Sequence, residues 1–393
     1  MASHALLSPS AAHRWMHCEV APGLEAMEPE ESSVYAEEGT LAHAICEAKV
    51  IAANSGKDPH EVYSAINDGA QWEEHKLYQP EMEETSDYYT DVVMEKYKEA
   101  KSETSDAVLL TEVKIDLGEW IPGGFGTADA LIIADGTIHL IDYKHGKGVE
   151  VSAHMNPQMM IYALGALDRY GFEYRIDDIE MTIVQPRLNN TSSFKIHADE
   201  LTKWGNRELY PAAKRATISA RTNSGHATAG PWCRFCKIKA KCRALANMAT
   251  EVVKATNNIM TAGEIAEFLP KTSVIKKFCT DVEEHALAMM LSGEKVPGYK
   301  IVEGRSIRTV FDQASLAKVL QDEGFSAETI YKPRELQTIT TLEKVVGKKA
   351  FTALATPYIV KPQGKPTLAP ESDKRPEFQP TSAEDDFKNI INS

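Results

Sequence analysis

The chain has 393 residues, 43% of them hydrophobic and 25% charged, with a formal net charge of −14. That length can bury a substantial core over two or three domains, and no stretch approaches the roughly 18 consecutive apolar residues of a membrane helix. The acidic balance argues against nonspecific coating of nucleic acid, though not against a confined positive channel. Met1–Arg14 has neither a basic leader nor a long apolar run, so no secretory signal is expected. The six cysteines then point to a cytoplasmic protein that uses thiols as ligands rather than disulfides.

In chain order, Ser8-Pro9-Ser10 reads as a capped helix start leading toward Cys18. A second helix is predicted to begin near Glu38-Gly39-Thr40 and to carry His43 on Leu41–Ala53. Gln79–Ala100 has the charged and apolar spacing of a long amphipathic helix. The period then changes: Ala107–Leu117, Ala128–Ala134 and Thr137–Lys144 are short β-favouring runs bounded by glycines. Met155–Tyr170 returns to helical spacing, and Asp178–Gln185 is a further strand. Helices are expected again at Glu264–Leu269, Val274–Leu291 and Ala314–Asp322. From Lys361 five prolines and many charges fall within 33 residues, which predicts a disordered tail over 359–393. Within it Glu384-Asp-Asp-Phe387-Lys-Asn-Ile-Ile391 has the acidic and apolar mix of a docking peptide. The expected division is a mixed α/β core over 1–250, a mainly helical region over 251–358, and the tail. Gly56-Lys57 and Gly347-Lys348 lack the other residues of a phosphate loop, so no ATP-driven motor is expected.

Asp135-Gly136 between two β-favouring runs is a strong hairpin signal. Counting outward from Ala134 opposite Thr137 brings Asp129 opposite Asp142. Side chains so opposed have Cβ atoms about 4.5–5.5 Å apart, where like charges repel. The same face carries Leu131, Ile133, Ile138 and Leu140, and period-two alternation adds Lys144 to it. Two ionised carboxylates in that setting need a cation or a shared proton, and hard oxygen donors suit Mg²⁺ or Mn²⁺. Glu112 on the preceding strand is a further candidate acid, balanced against an ordinary solvent-facing residue beside Lys114. His145 and Lys147 follow in a glycine-flanked loop, either touching phosphate or simply solvated.

Cys18 stands alone, whereas Cys233, Cys236 and Cys242 cluster. Four thiolates suit a [4Fe–4S] cluster or a structural Zn²⁺ site, and the five-residue gap before Cys242 departs from paired zinc knuckles. From Cys233 to Arg243, Arg243 included, there are five basic residues and no acidic one. Trp15 and Trp232 each precede a cysteine-bearing segment and read as packing, as shields of the centre or, as a minor alternative, as stacking platforms for a single-stranded base. Cys46 and Cys279 read as core thiols.

Together these residues resemble the PD-(D/E)XK nuclease superfamily, in its RecB-like branch with an iron–sulfur cluster, over roughly Ser8 to Thr250. Gly126-Thr-Ala-Asp129 is similar to the family's G-x-x-D, Asp142-Tyr143-Lys144 to its D/E-x-K, and Gln158-Met-Met-Ile-Tyr162 to its Q-x-x-x-Y. His43 resembles its upstream helical histidine. Cys18 with Cys233, Cys236 and Cys242 resembles the arrangement of AddB-type and CRISPR-adaptation nucleases, including phage- or prophage-encoded members. The resemblance implies a restriction-endonuclease-like core, a small mixed β-sheet flanked by helices, with a helical arm tied by iron and sulfur. It also implies metal ligation by His43, Asp129, Asp142 and the backbone carbonyl of Tyr143. Lys144 would orient water and stabilise phosphate charge, while Gln158 and Tyr162 would position Lys144 or the DNA backbone.

The expected function is therefore a metal-dependent DNA nuclease, an exonuclease acting at free DNA ends in phage replication or recombination. A phage recombinase or single-strand-binding protein is the expected protein partner, with no membrane association. The competing readings are a catalytically silent DNA-binding module on the same fold and a zinc-stabilised scaffold. The sequence fixes neither cleavage polarity nor oligomeric state.

Overall fold

The structure, a computed structural model, describes residues 5–29, 33–251 and 261–302 and a few isolated positions beyond them. The chain divides into two compact units, Met1–Val302 and Glu303–Ser393, and nearly all described residues belong to the first. The expected division at residue 250 falls inside this first unit. The tail from 359, its Glu384–Ile391 segment and most of the expected helix Ala314–Asp322 lie outside the described residues.

Helices α1 (Ala12–Trp15), α2 (Ala21–Glu25), α3 (Val34–Ser55), α4 (Pro59–Ile66) and α5 (Glu81–Glu103) precede the sheet. Strands β1 (Val108–Asp116), β2 (Phe125–Ala134) and β3 (Gly136–Tyr143) follow, then α6 (Pro157–Tyr170), β4 (Ile176–Gln185) and β5 (Asn190–His197). The sheet is mixed and runs β1-β2-β3-β4-β5, antiparallel throughout except for the parallel β3–β4 pair. A parallel pair needs a long crossover, and α6 provides it. After the sheet come α7 (Ala198–Trp204), α8 (Tyr210–Thr222), α9 (Arg243–Glu251) and α10 (Ala262–Leu291). No helix among the described residues is long and apolar enough to cross a membrane.

Both sheet faces are buried, as the apolar β2 and β3 sequences require. One face sets Leu131, Ile133, Ile138 and Leu140 against Met160 and Leu164 of α6. The other sets Ala130, Ile132, Ile141 and Tyr143 against Cys46 and Val50 of α3 and Tyr89 and Val93 of α5. Polar bonds fasten α3 to α5, because the buried Lys49 ammonium lies 2.6 Å from both Glu83 and Asp87.

Ala134 pairs with Thr137 and Ala130 with Ile141, the register expected from the Asp135-Gly136 turn. Gly136 takes φ +91° there, where a side chain would be strained. Four expected strands are present within a few residues of their expected ends. Strand β5 was not expected, because it is an edge strand with only Ile196 buried and its Thr-Ser-Ser run reads as loop.

Helix ends differ from expectation more than strands do. Helix α3 starts at Val34, where Ser33 Oγ accepts from the Ala36 N–H, so Gly39 lies within the helix. Ser8 occupies the position before the first turn, but its side chain caps nothing. The two helices expected on either side of Pro270 are one, α10, started by a Thr261–Glu264 capping box. Proline inside a helix costs about 3 kcal/mol, so contacts elsewhere on α10 must hold it.

Glu180 of β4 ties two layers, bonding His139 of β3 at 3.0 Å and Lys96 of α5 at 2.8 Å. The His139 hydrogen bond, with Lys96 and against partial burial, holds the Glu180 carboxyl down at about 2. A lowered carboxyl pKa stabilises the fold above the ordinary glutamate range, and the contribution is lost as pH falls toward 2. Allowing for solvent screening, Glu180→Gln should cost about 1–2 kcal/mol at pH 7 in urea unfolding. The gap should shrink to less than half by pH 3; a gap independent of pH would contradict the assignment.

Candidate functional site

Three neighbouring strands bring three carboxylates together. Glu112 lies on β1, Asp129 on β2 and Asp142 on β3, with His43 arriving from α3 and Lys144 just past β3. At about 5 Å two carboxylates repel by about 3 kcal/mol even at an effective dielectric of 20. The fold answers part of this with its own donors. Asp129 accepts from the Tyr143 N–H at 2.7 Å, and its other oxygen lies 3.3 Å from His43 Nδ1. Asp142 accepts from Gln158 Nε2 at 3.1 Å, and Lys144 Nζ donates to Gln158 Oε1 at 3.0 Å. Lys144 Nζ also pairs with Asp142 Oδ2 at 2.9 Å.

Charge is distributed unequally over the cluster. Burial raises the Asp129 carboxyl, but His43, Lys144 and the Tyr143 N–H outweigh it and hold the group low. Asp142 is pushed up by burial and by Asp129, against the pull of Lys144. Burial and Asp129 lift Glu112 to about 7. Burial opposes the charge on His43, yet Asp129 and then Asp142 raise it to about 9. The same two acids raise Lys144 against its burial, which keeps it an ammonium.

His43, Glu112 and Asp129 can each point one ligand atom so that all lie within 4.8 Å of one another. Glu112, which the sequence left balanced, thus joins the cluster, and it does so with a backbone φ of +46°. Non-glycine residues adopt that region at about 1–3 kcal/mol, so the surrounding structure must enforce it. Ladder pairs exist on both sides of it, Thr111 with Ala130 and Val113 with Ala128, but Glu112 and Asp129 themselves make none. The donor set, a nitrogen and several carboxylate oxygens, fits a divalent cation such as Mg²⁺ or Mn²⁺. The Tyr143 backbone N–H donates to Asp129, while its hydroxyl donates to Thr85.

Tyr162 is buried beside the cluster: burial, Asp142 and Asp129 raise its pKa against a hydrogen bond with Gln158. A Cβ on Gly126 would lie 2.5 Å from the Tyr162 ring and 3.2 Å from Pro9, so glycine is required there for close approach. His145 neither faces solvent nor reaches outward. It is buried, bonding the Tyr143 hydroxyl at 3.1 Å and lying 3.0 Å from Glu38 and from Arg187 Nη1. Burial lowers its pKa, consistent with a neutral ring. Arg187 also bonds Glu38 and Glu81, at 3.1 Å each, which closes a buried polar network behind the site. Sequence reading missed it, since Glu38 and Arg187 stand 149 residues apart. Lys147 is exposed, as a solvated loop residue would be.

The second cluster is made by cysteines. Cys18, Cys233, Cys236 and Cys242 line one small apolar cavity, and all four are free thiols. The Gly230 N–H donates to Cys233 Sγ at 3.4 Å. Burial first, then the neighbouring thiols Cys18 and Cys242, raises the Cys233 pKa; burial and Glu25 push Cys236 up to about 12. Four soft donors turned onto one cavity fit either a [4Fe–4S] cluster or Zn²⁺. Trp232 borders this cavity and stacks on His17 at 4.2 Å, whereas Trp15 is core, bonded to the Ser8 carbonyl. Cys46 is buried as expected, but Cys279 is exposed on α10.

Mn²⁺ titration followed by calorimetry should reveal a site that His43→Ala, Glu112→Gln and Asp129→Asn each weaken at least tenfold. Unchanged affinity in Glu112→Gln would remove that residue from the ligand set.

Among solved structures, that of SSO0001 is similar at 14% identity, covering 59% of this chain and 96% of that one, with a TM-score of 0.23. Residues 4–376 match the family described as "Protein of unknown function (DUF2800)". That match spans nearly the whole sequence, and the chain belongs to the DUF2800 family.

Proposed function

We propose that this protein is a divalent-metal-dependent deoxyribonuclease with a PD-(D/E)XK core, acting as an exonuclease at DNA ends in phage replication or recombination. The observation that carries the reading is the convergence of Glu112, Asp129 and Asp142, from three adjacent strands, with His43 and Lys144. A purely structural core has no use for three mutually repelling acids. A bound Mg²⁺ or Mn²⁺ would polarise the scissile phosphate and acidify a water.

The chain's own groups divide the remaining work. His43, Glu112, Asp129 and Asp142 would hold the ion, and coordination by His43 requires loss of the proton it carries at neutral pH. Lys144 stays charged, which suits stabilisation of the phosphorane oxygens better than abstraction of a proton. Gln158 bridges Asp142 and Lys144 and fixes their separation. Water adds to phosphorus, the bond to the leaving sugar oxygen breaks, and that oxygen takes up a proton.

Cys18, Cys233, Cys236 and Cys242 are assigned a [4Fe–4S] cluster of structural role, with Zn²⁺ as the competing occupant. Anaerobically purified protein should contain iron and acid-labile sulfide and absorb broadly in the visible, all lost in Cys236→Ser. Stoichiometric zinc without colour would overturn the cluster.

Degradation of end-labelled linear DNA with Mn²⁺ or Mg²⁺ tests the activity. Wild type should cleave, Lys144→Ala should fall by at least a hundredfold, and Gln158→Ala by a smaller factor. Absence of cleavage on both single- and double-stranded ends would leave the silent binding module as the reading.

A further inference from the structure

We propose that a groove between the cysteine-bearing arm and α10 carries a single DNA strand to the acid cluster. This deepens the nuclease reading and rests on it for the choice of DNA. The groove has a volume of about 750 Å³. Its walls combine aromatic rings with cations: Trp232 and Phe235 from the arm, Phe278 from α10, and Arg234 and Lys276 beside them. Phe235 is 70% exposed, so its ring face is open to stacking. The Arg234 guanidinium lies 5.7 Å from that ring.

The charge balance of the groove opposes that of the whole chain. Its lining holds one carboxylate, Asp281, and that group is already matched by Lys239 at 3.2 Å and Lys277 at 2.8 Å. Arg234 and Lys276 have no carboxylate partner among the described residues. A local positive excess in a chain of net charge −14 selects a polyanion. Stacking rings between the cations select unpaired bases, whose π-faces a duplex hides.

Position ties the groove to the acids. Val149, in the loop between Lys144 and α6, lines it, as do Ser10 and Ala11. Their neighbour Pro9 packs at Gly126 beside Tyr162. A strand lying against Trp232 and Phe278 therefore borders the loop that leaves the active strand. Asp281, buried on α10, braces that helix against the arm through Lys239, and Lys277 one turn before it on α10 adds a second ion pair.

The test is fluorescence anisotropy of a labelled 20-nucleotide strand on the full chain, in buffer without added divalent metal so that cleavage plays no part. Wild type should bind it at least tenfold more tightly than the matching duplex. Arg234→Ala with Lys276→Ala, and separately Phe278→Ala, should each weaken binding at least tenfold with thermal unfolding unchanged. Loss of two phosphate contacts should lower the salt slope by about 1.4. Arg234→Lys with Lys276→Arg should restore binding. Wild-type affinity in the alanine variants, equal affinity for duplex, or equal competition by poly-glutamate would overturn the groove assignment. Groove-dependent binding without any cleavage under Mn²⁺ would leave the groove standing and overturn the nuclease reading alone.

Discussion

Three carboxylates on adjacent strands repel one another, and much of the surrounding structure is organised to hold them there. The antiparallel register sets Asp129 beside the end of β3, where the Tyr143 N–H pins one of its oxygens. Helix α6 supplies Gln158 to Asp142 and Lys144. Helix α3 supplies His43, and α3 is itself locked by Lys49 onto two acids of α5. Even so, Asp129 and burial still push the Asp142 carboxyl up, and Glu112 holds an unfavourable backbone angle. Both costs make sense where a cation completes the group.

The cysteine arm solves a different problem, joining the first residues to a segment more than 200 positions later. Ionic and hydrogen bonds reinforce the thiols there. Glu25 bonds Arg14 and the Lys237 N–H, Glu28 bonds Lys241, and Glu19 accepts from the His226 N–H. Part of the basic character of the arm is thereby spent on closure: Lys239 and Lys241 are paired, while Arg234 is free to face the groove.

How far the sequence could be read depended on the range of the interaction. The Asp135-Gly136 turn is local, so it fixed the β2–β3 register, and the placement of Asp129, Asp142 and Lys144 followed by alternation. Gln158 entered only through the resemblance of Gln158–Tyr162 to Q-x-x-x-Y. Glu112 was not separable from a surface residue, because its inward placement comes with a φ that no residue pattern announces. The Glu38–His145–Arg187 network joins three distant segments and left no local trace. Strand β5 was hidden by its polar edge, and α10 runs through Pro270 across the gap between two expected helices.

The central claim is that these acids exist to hold a metal ion. Crystals grown with Mn²⁺ and measured at the manganese absorption edge test it most directly. The account predicts an anomalous peak within coordination distance of His43, Glu112 and Asp129, with Asp142 turned toward it. A well-ordered site with no peak there, and His43 still paired to Asp129, would contradict it.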